Sequence, residues 1–395
     1  MMEAGIDLFL KQVSDELEDD ILRYWLALKD PRGGLFGEAD AFGRIVPDAP
    51  RGEILNARII WSFSAAYGLL GRKEYLDAAL HAAHWFKDCL VDRRNGGVYW
   101  SVSSDGAVLD DKKQLYSQGF AIYAFSELYK VTGDEADLEE AKAIFRTVEA
   151  CFRDREHGGY TEALSRDFSQ LEDMSLSAHD INADKTMNSH LHLLEAYANL
   201  YGVWPDDILK SALEHLLDLM AGKVTGPDGH LRLYFRNDWT TLPGAVSYGH
   251  DIETSWLMLE CASVLEDKAV TDRVRPCSLA LGRAGNEGLL EDGSMMYELL
   301  PDGSRDLSRQ WWVQAETVVG NLWLWKYHGD SEGLQRALKC WDWIRGNLID
   351  RDGGEWYWGT DPEGNPDMVS PKAGFWKCPY HNTRMCLEVL KLFRI

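Results

Sequence analysis

Asp92-Arg93-Arg94-Asn95-Gly96-Gly97-Val98-Tyr99-Trp100 carries a glycine pair followed by aromatic residues. Glycine enters left-handed backbone conformations that other residues avoid, so Gly96-Gly97 marks a tight turn, and the aromatics after it return the chain to an apolar interior. The pattern stands again at Asp30-Pro31-Arg32-Gly33-Gly34-Leu35-Phe36, at Asp154-Arg155-Glu156-His157-Gly158-Gly159-Tyr160 and at Asp350-Arg351-Asp352-Gly353-Gly354-Glu355-Trp356-Tyr357-Trp358. Weaker copies lie at Pro227-Asp228-Gly229-His230-Leu231 and Glu291-Asp292-Gly293-Ser294-Met295-Met296-Tyr297. The period is about 60 to 70 residues, enough for two helices and a loop. Six copies predict six helix pairs.

Hydrophobic periodicity between the turns agrees. It predicts helices at roughly 4–29, 53–70, 73–91, 113–131, 135–153, 184–201, 206–222, 248–266, 268–284, 310–328, 331–348 and 376–393. Short turns at Gly71-Arg72, Gly133-Asp134, Gly202 to Asp206 and Gly329-Asp330 alternate with the long loops that hold the glycine pairs. Twelve helices in six hairpins close into an (α/α)6 barrel more economically than they split into separate bodies. The expectation is an all-α fold, with residues 1–395 forming a single catalytic domain.

Composition excludes several functions. A net charge of -23 argues against nucleic acid, anionic membranes and strongly anionic substrates. No apolar run approaches the ~20 residues of a membrane-spanning helix. The N-terminus carries Glu16, Glu18, Asp19 and Asp20 rather than a secretory pattern, so a cytoplasmic protein is expected. The seven cysteines (89, 151, 261, 277, 340, 378 and 386) form no CxxC set and are odd in number, which points to free thiols rather than disulfides or a metal site. Sixteen tryptophans fit core filling, and equally an aromatic-lined cleft for sugar rings.

In such a barrel the even-numbered helices all start at one end, and polar residues interrupt their apolar faces there. They are Arg58; Tyr116 and Gln118; Asn188 and His192; His250 and Glu253; Trp312 and Glu316; His381 and Arg384. Within Tyr248-Gly249-His250-Asp251-Ile252-Glu253, His250 and Glu253 share a face, so the carboxylate is expected to hold the imidazole in one tautomer. Phosphate loops, nucleotide-binding glycine motifs and HExxH are absent from the sequence. Histidines, an arginine, glutamates and tryptophans suit proton movement on a carbon beside a carbonyl, with His250 and His381 as acid and base and Arg58 holding the enolate charge. Two other readings stay open: a glycoside hydrolase using Glu253 and Glu316 across a bond, and a non-catalytic barrel that binds sugars or proteins.

Four segments carry a family resemblance. Gly249-His250-Asp251-Ile252-Glu253-Thr254-Ser255-Trp256-Leu257, Trp311-Trp312-Val313-Gln314-Ala315-Glu316, Met187-Asn188-Ser189-His190-Leu191-His192 and Gly374-Phe375-Trp376-Lys377-Cys378-Pro379-Tyr380-His381-Asn382-Thr383-Arg384 resemble the N-acylglucosamine 2-epimerase superfamily, and within it the cellobiose 2-epimerases. The resemblance implies the (α/α)6 barrel and a cofactor-independent isomerase, with no metal, acting on a small disaccharide. It would interconvert reducing-end glucose and mannose of β-1,4-linked disaccharides, cellobiose to glucosyl-mannose and lactose to epilactose, through a cis-enediolate. By the same resemblance His250 and His381 move the C2 proton, Arg58 stabilises the enediolate, Glu253 and Glu316 tune the two histidines, and His192 assists ring opening. Asn188, Asp180, Tyr116, Trp312, Trp376 and Arg384 fall among the substrate-binding positions. Family members are often monomers. The alternative inside the superfamily is a mannose 2-epimerase or aldose-ketose isomerase acting on monosaccharides.

Overall fold

The structure, a computed structural model, describes residues 2–177 and 180–394. The first helix is not uniform: α1 (Met2–Asp15) passes through a π turn at Glu16–Ile21 into α2 (Leu22–Ala27). An inner ring follows, made of α3 (Glu53–Leu70), α5 (Leu115–Thr132), α7 (Met187–Tyr201), α9 (Tyr248–Val264), α11 (Trp311–His328) and α13 (Tyr380–Phe393). Each packs on the next, and α13 closes against α3. Outside them lie α1 and α2 with α4 (Lys73–Cys89), α6 (Glu135–Cys151), α8 (Asp207–Leu219), α10 (Lys268–Gly285) and α12 (Gly333–Asn347). This is the (α/α)6 barrel read from the sequence.

Residue pattern separates the two rings. Every α3 residue from Glu53 to Ala66 is buried, whereas α8 buries only a stripe of Leu209, Ala212, Leu213, Leu216, Leu217 and Leu219. A helix apolar on all sides must lie inside, and one with a single apolar stripe must lie outside. Hairpin ends follow local chemistry. Gly71 and Gly133 close α3 and α5 in the left-handed conformation, and the carboxylates of Asp134, Asp206 and Asp267 accept the first free amides of α6, α8 and α10.

Two details depart from the sequence reading. α13 begins at Tyr380, immediately after Pro379, so Trp376 lies in the preceding loop rather than on the helix. Short antiparallel strands also precede the inner helices. Arg51–Gly52 pairs with Ser101–Val102, Lys113–Gln114 with Ala163–Leu164, Lys185–Thr186 with Tyr234–Phe235, Val246–Ser247 with Glu298–Leu299, and Arg309–Gln310 with Gly359–Thr360. They stitch the starts of five inner helices, α3, α5, α7, α9 and α11, to the following loop.

The glycine turns are fastened to the same strands. Asp92 N–H donates to Gly97 O, its carboxylate accepts the amides of Arg94 and Asn95, and Lys113 reaches it at 3.1 Å. Lys185 meets Asp154 at 2.6 Å in the same way, and Arg51 meets Asp30. A side chain at Gly97 would strike Gln118 Oε1, since a Cβ there would lie 2.4 Å from it. In the last repeat the place of Gly97 is taken by Glu355, with φ +62. Its carboxylate accepts from Lys377 at 2.8 Å and Asn382 at 2.7 Å, contacts that hold a residue in a conformation costing about 1–2 kcal/mol.

Candidate active site

The inner helix starts share one register eight residues long: 51–58, 113–120, 185–192, 246–253, 309–316 and 377–384. The sixth position clips the loop. Gln118 exchanges two hydrogen bonds with the Val98 backbone, Gln314 does so with Met295, His190 Nε2 accepts Tyr160 N–H, and Asp251 accepts Leu231 N–H. Gln118 therefore does not face the pocket with Tyr116. The two are two residues apart, which puts them on different sides of a helix.

The eighth position supplies the floor of the barrel end: Arg58, Phe120, His192, Glu253, Glu316 and Arg384. Arg384 is the hub. Its Nη1 donates to Glu195 Oε1 at 2.5 Å and to the Tyr380 hydroxyl, and its Nη2 donates to Glu253 and, at 2.7 Å, to Glu316. Both Nη groups are thereby spent on protein acceptors. Glu316 also accepts Trp256 Nε1–H at 3.0 Å and lies 2.8 Å from His381 Nδ1. Glu195 completes the group, accepting from Tyr380 and lying 3.0 Å from His192 Nδ1.

The expected pairing of Glu253 with His250 is not what forms. Glu253 turns to Arg384 and stands 3.9 Å from His381 Nδ1, so both glutamates gather at His381. His250 Nδ1 instead meets Ser247 Oγ at 2.8 Å. The i,i+3 spacing puts His250 and Glu253 on one side, but the buried guanidinium attracts the carboxylate more strongly than a neutral ring does.

The two histidines come together all the same. The Trp312 indole lies 4.7 Å from the His250 ring and 5.7 Å from the His381 ring, centroid to centroid. Arg58 is 2 % exposed, donates to the Tyr116 hydroxyl at 2.7 Å and lies over Phe120 and Tyr380 at 4.2 and 4.7 Å. Among the described residues no carboxylate comes within 4.0 Å of it. Tyr116 packs edge-on to His192, and Trp376 reaches it from the loop at 6.1 Å. Asn188 holds a buried Oδ1 with no hydrogen-bond partner among the described residues. Asp180 sits further out, accepting from Tyr234 at 2.8 Å and Ser177 at 2.5 Å.

Burial sets the protonation states. It pushes His250 down to about 3 and lowers His192. Burial, with the Arg58 and Arg384 cations, holds His381 well below the usual imidazole range. Glu253 is pushed up to about 8 by burial and by Glu316, which burial raises as well. Glu195, Glu253 and Glu316 accompany two cations, Arg58 and Arg384, so one proton among the carboxyls makes the group neutral. Ligand atoms of Glu253, Glu316 and His381 lie within 4.8 Å of one another, a spacing a metal ion could use, but Arg384 already bridges the two carboxylates.

Ser247, Glu195 and Tyr380 escaped the sequence reading. Glu195 is three residues from His192 and Tyr380 four from Arg384, the spacing that had selected the other pairs.

Known proteins resemble the chain over nearly its whole length. Residues 34–384 match the family described as N-acylglucosamine 2-epimerase (GlcNAc 2-epimerase). The chain is 45% identical over 390 residues to the cellobiose 2-epimerase of Bacteroides fragilis, covering 98% of this chain and 100% of that protein. It is 36% identical to the cellobiose 2-epimerase of Ruminococcus albus, over 97% and 98% of the two chains. The solved cellobiose 2-epimerase of Bacillus thermoamylovorans superposes with a TM-score of 0.93 at 37% identity, covering 98% of this chain and 99% of that one. A family match over most of the chain, near-complete coverage of these relatives and a shared barrel lead to one conclusion: the chain belongs to the N-acylglucosamine 2-epimerase family.

Proposed function

We propose that the chain is a cellobiose 2-epimerase, an isomerase that interconverts reducing-end glucose and mannose in β-1,4-linked disaccharides. The observation that carries the reading is the pairing of His250 and His381 against one indole, with Arg58 beside them as a buried cation lacking a carboxylate. The relatives' printed names point the same way.

The chemistry follows from these groups. Ring opening, assisted by His192 and Glu195, exposes an aldehyde at C1 and makes the C2 proton acidic. One neutral imidazole takes that proton, and the electron pair passes into a cis-enediolate whose oxygen charge is met by Arg58. Because no carboxylate among the described residues pairs with Arg58, its charge is stabilised more by the enediolate than by the resting site. Rotation about C2–C3 presents the other face, and the second imidazole, protonated before the cycle begins, returns a proton while the first passes its own to solvent. One proton leaves and one is added, so the cycle needs no redox partner and no cofactor. A proton on Glu253, which stands 3.9 Å from His381 Nδ1, can recharge that ring.

Trp312 and Trp376 offer flat apolar faces for sugar rings, while Asn188, Tyr116 and, further out, Asp180 offer hydroxyl partners. Arg384 acts on the glutamates rather than the sugar. Residues 1–395 work as one catalytic unit on a small disaccharide, as a cytoplasmic monomer. Among the described residues no helix is long and apolar enough to cross a membrane.

The test is a proton NMR time course of cellobiose, and in parallel mannose, in deuterated water. Glucosyl-mannose signals with loss of the C2 proton are expected. Release of glucose from cellobiose, or conversion of mannose alone, would replace this reading.

A further inference from the structure

His250 and His381 occupy the same fifth position of the inner-helix register, yet they are held differently. His381 is held by Glu316, a carboxylate from the neighbouring repeat, and His250 by Ser247, a hydroxyl from its own. Ser247 stands where α9 begins, the place at which a serine ordinarily accepts a free amide of the first turn. It makes no such bond. Thr186, at the same register position before α7, does accept Ser189 N–H. Of the remaining second-position residues, Gly52, Gln114 and Gln310 have no histidine in their own register, and Cys378 meets Arg58. Ser247 is buried, so its hydroxyl forgoes a cap and is spent on the imidazole.

We propose that Ser247 is a positioning residue for His250, its hydroxyl accepting the Nδ1 proton so that Nε2 is the nitrogen presented to substrate. The inference rests on the epimerase reading. A hydroxyl accepts Nδ1–H from the neutral ring and from the imidazolium alike, so the ring keeps its orientation through the proton cycle. It also favours the imidazolium less than a carboxylate does. Burial lowers both rings, so the inequality lies in their partners, a hydroxyl at His250 and a carboxylate at His381.

The inequality gives a signature that general damage would not. Each histidine serves one face of C2, so one disaccharide epimer loses its proton to His250 and the other to His381. Without the Ser247 hydroxyl, a free imidazole can turn or carry its proton on the wrong nitrogen. Protonation by His250 then slows, and an enediolate formed by His381 falls back to its starting epimer before crossing over.

The experiment is Ser247→Ala, with Ser247→Thr as the conservative variant, incubated in deuterated water with purified cellobiose and separately with purified glucosyl-mannose. NMR reads deuterium at C2 of recovered starting sugar against conversion. Turnover of Ser247→Ala is expected to fall about tenfold, the weight of one neutral hydrogen bond, with melting unchanged and activity restored in Ser247→Thr. In Ser247→Ala, deuterium should enter one recovered epimer faster than that epimer converts, and not the other. Equal exchange-to-conversion ratios for the two starting epimers in Ser247→Ala, or wild-type ratios, would overturn the role of Ser247. Absence of C2 exchange in the wild-type protein would instead overturn the epimerase reading.

Discussion

Glu316 Oε1 lies 2.8 Å from His381 Nδ1 and accepts Arg384 Nη2–H at 2.7 Å on the same oxygen. One carboxylate oxygen thus fixes both the ring that moves the proton and the cation that organises the floor. Glu316→Gln keeps the shape but offers a neutral oxygen, or an amide facing the ring the wrong way. Turnover is expected to fall about 10²- to 10³-fold, with KM little changed, because the interaction serves the proton transfer rather than sugar binding. Steady-state kinetics on cellobiose, alongside a thermal melt, measure it; a loss below tenfold would remove Glu316 from the acid-base unit.

The proton that burial keeps on Glu253 makes stability depend on pH. Glu253 is pushed to about 8, above the ordinary glutamate value of 4.5, so folding retains a proton that the unfolded chain releases. Such a group contributes stability that is full below about 4.5 and is lost as pH rises through about 8. His250, lowered from 6.5 to about 3, acts oppositely, its contribution disappearing as pH falls from 6.5 toward 3. Glu253→Gln mimics the protonated carboxyl and is expected to melt higher than the wild type at pH 9 but not at pH 5, while losing turnover. Melting curves across that range decide it.

Arg58 is costly to the resting fold. A buried guanidinium without a carboxylate recovers only part of its desolvation from Tyr116 and the rings of Phe120 and Tyr380. Arg58→Met is expected to melt at or above the wild-type temperature while turnover falls about 10²- to 10³-fold. A variant that melts lower and keeps its rate would reverse the assignment.

Glu53 is a second buried expense, at the third position of the register. That position is otherwise Leu115, Met187, Tyr248, Trp311 and Pro379, and both Glu53 carboxyl oxygens are buried without a hydrogen-bond partner. Burial holds its pKa well above the carboxylate range. Glu53→Leu is expected to stabilise the protein by about 1–3 kcal/mol, most clearly at alkaline pH, in denaturant titrations. Destabilisation would mean that the carboxyl has a partner its geometry does not reveal.

The repeat was legible because its cause is local. Asp92, Gly96 and Gly97 form a turn by their own chemistry, and an aspartate followed some twenty residues later by Lys113 marks the fastening of turn to helix. The partners of the functional side chains were not legible to the same degree. Spacing identifies a face, and a face does not say what comes to meet it: Arg384 reaches Glu253 from 131 residues away. The two-residue strands stayed hidden for another reason, being too short to show a period. Trp376 was placed on a helix because its apolar neighbours continue the pattern, but Pro379 delays the start to Tyr380.

The order of the floor residues around the barrel has an electrical consequence. Arg58 occupies the first repeat and Glu253 the fourth, so the two stand half a circuit apart, with Glu316 following Glu253. Arg384 offsets Glu316 and burial keeps Glu253 protonated on that side, so the field across the pocket floor is set by Arg58. An opened sugar descending into it carries a carbonyl dipole, and that transverse field turns the carbonyl oxygen toward Arg58 before any hydrogen bond forms. The barrel aligns its substrate at a distance as well as by contact.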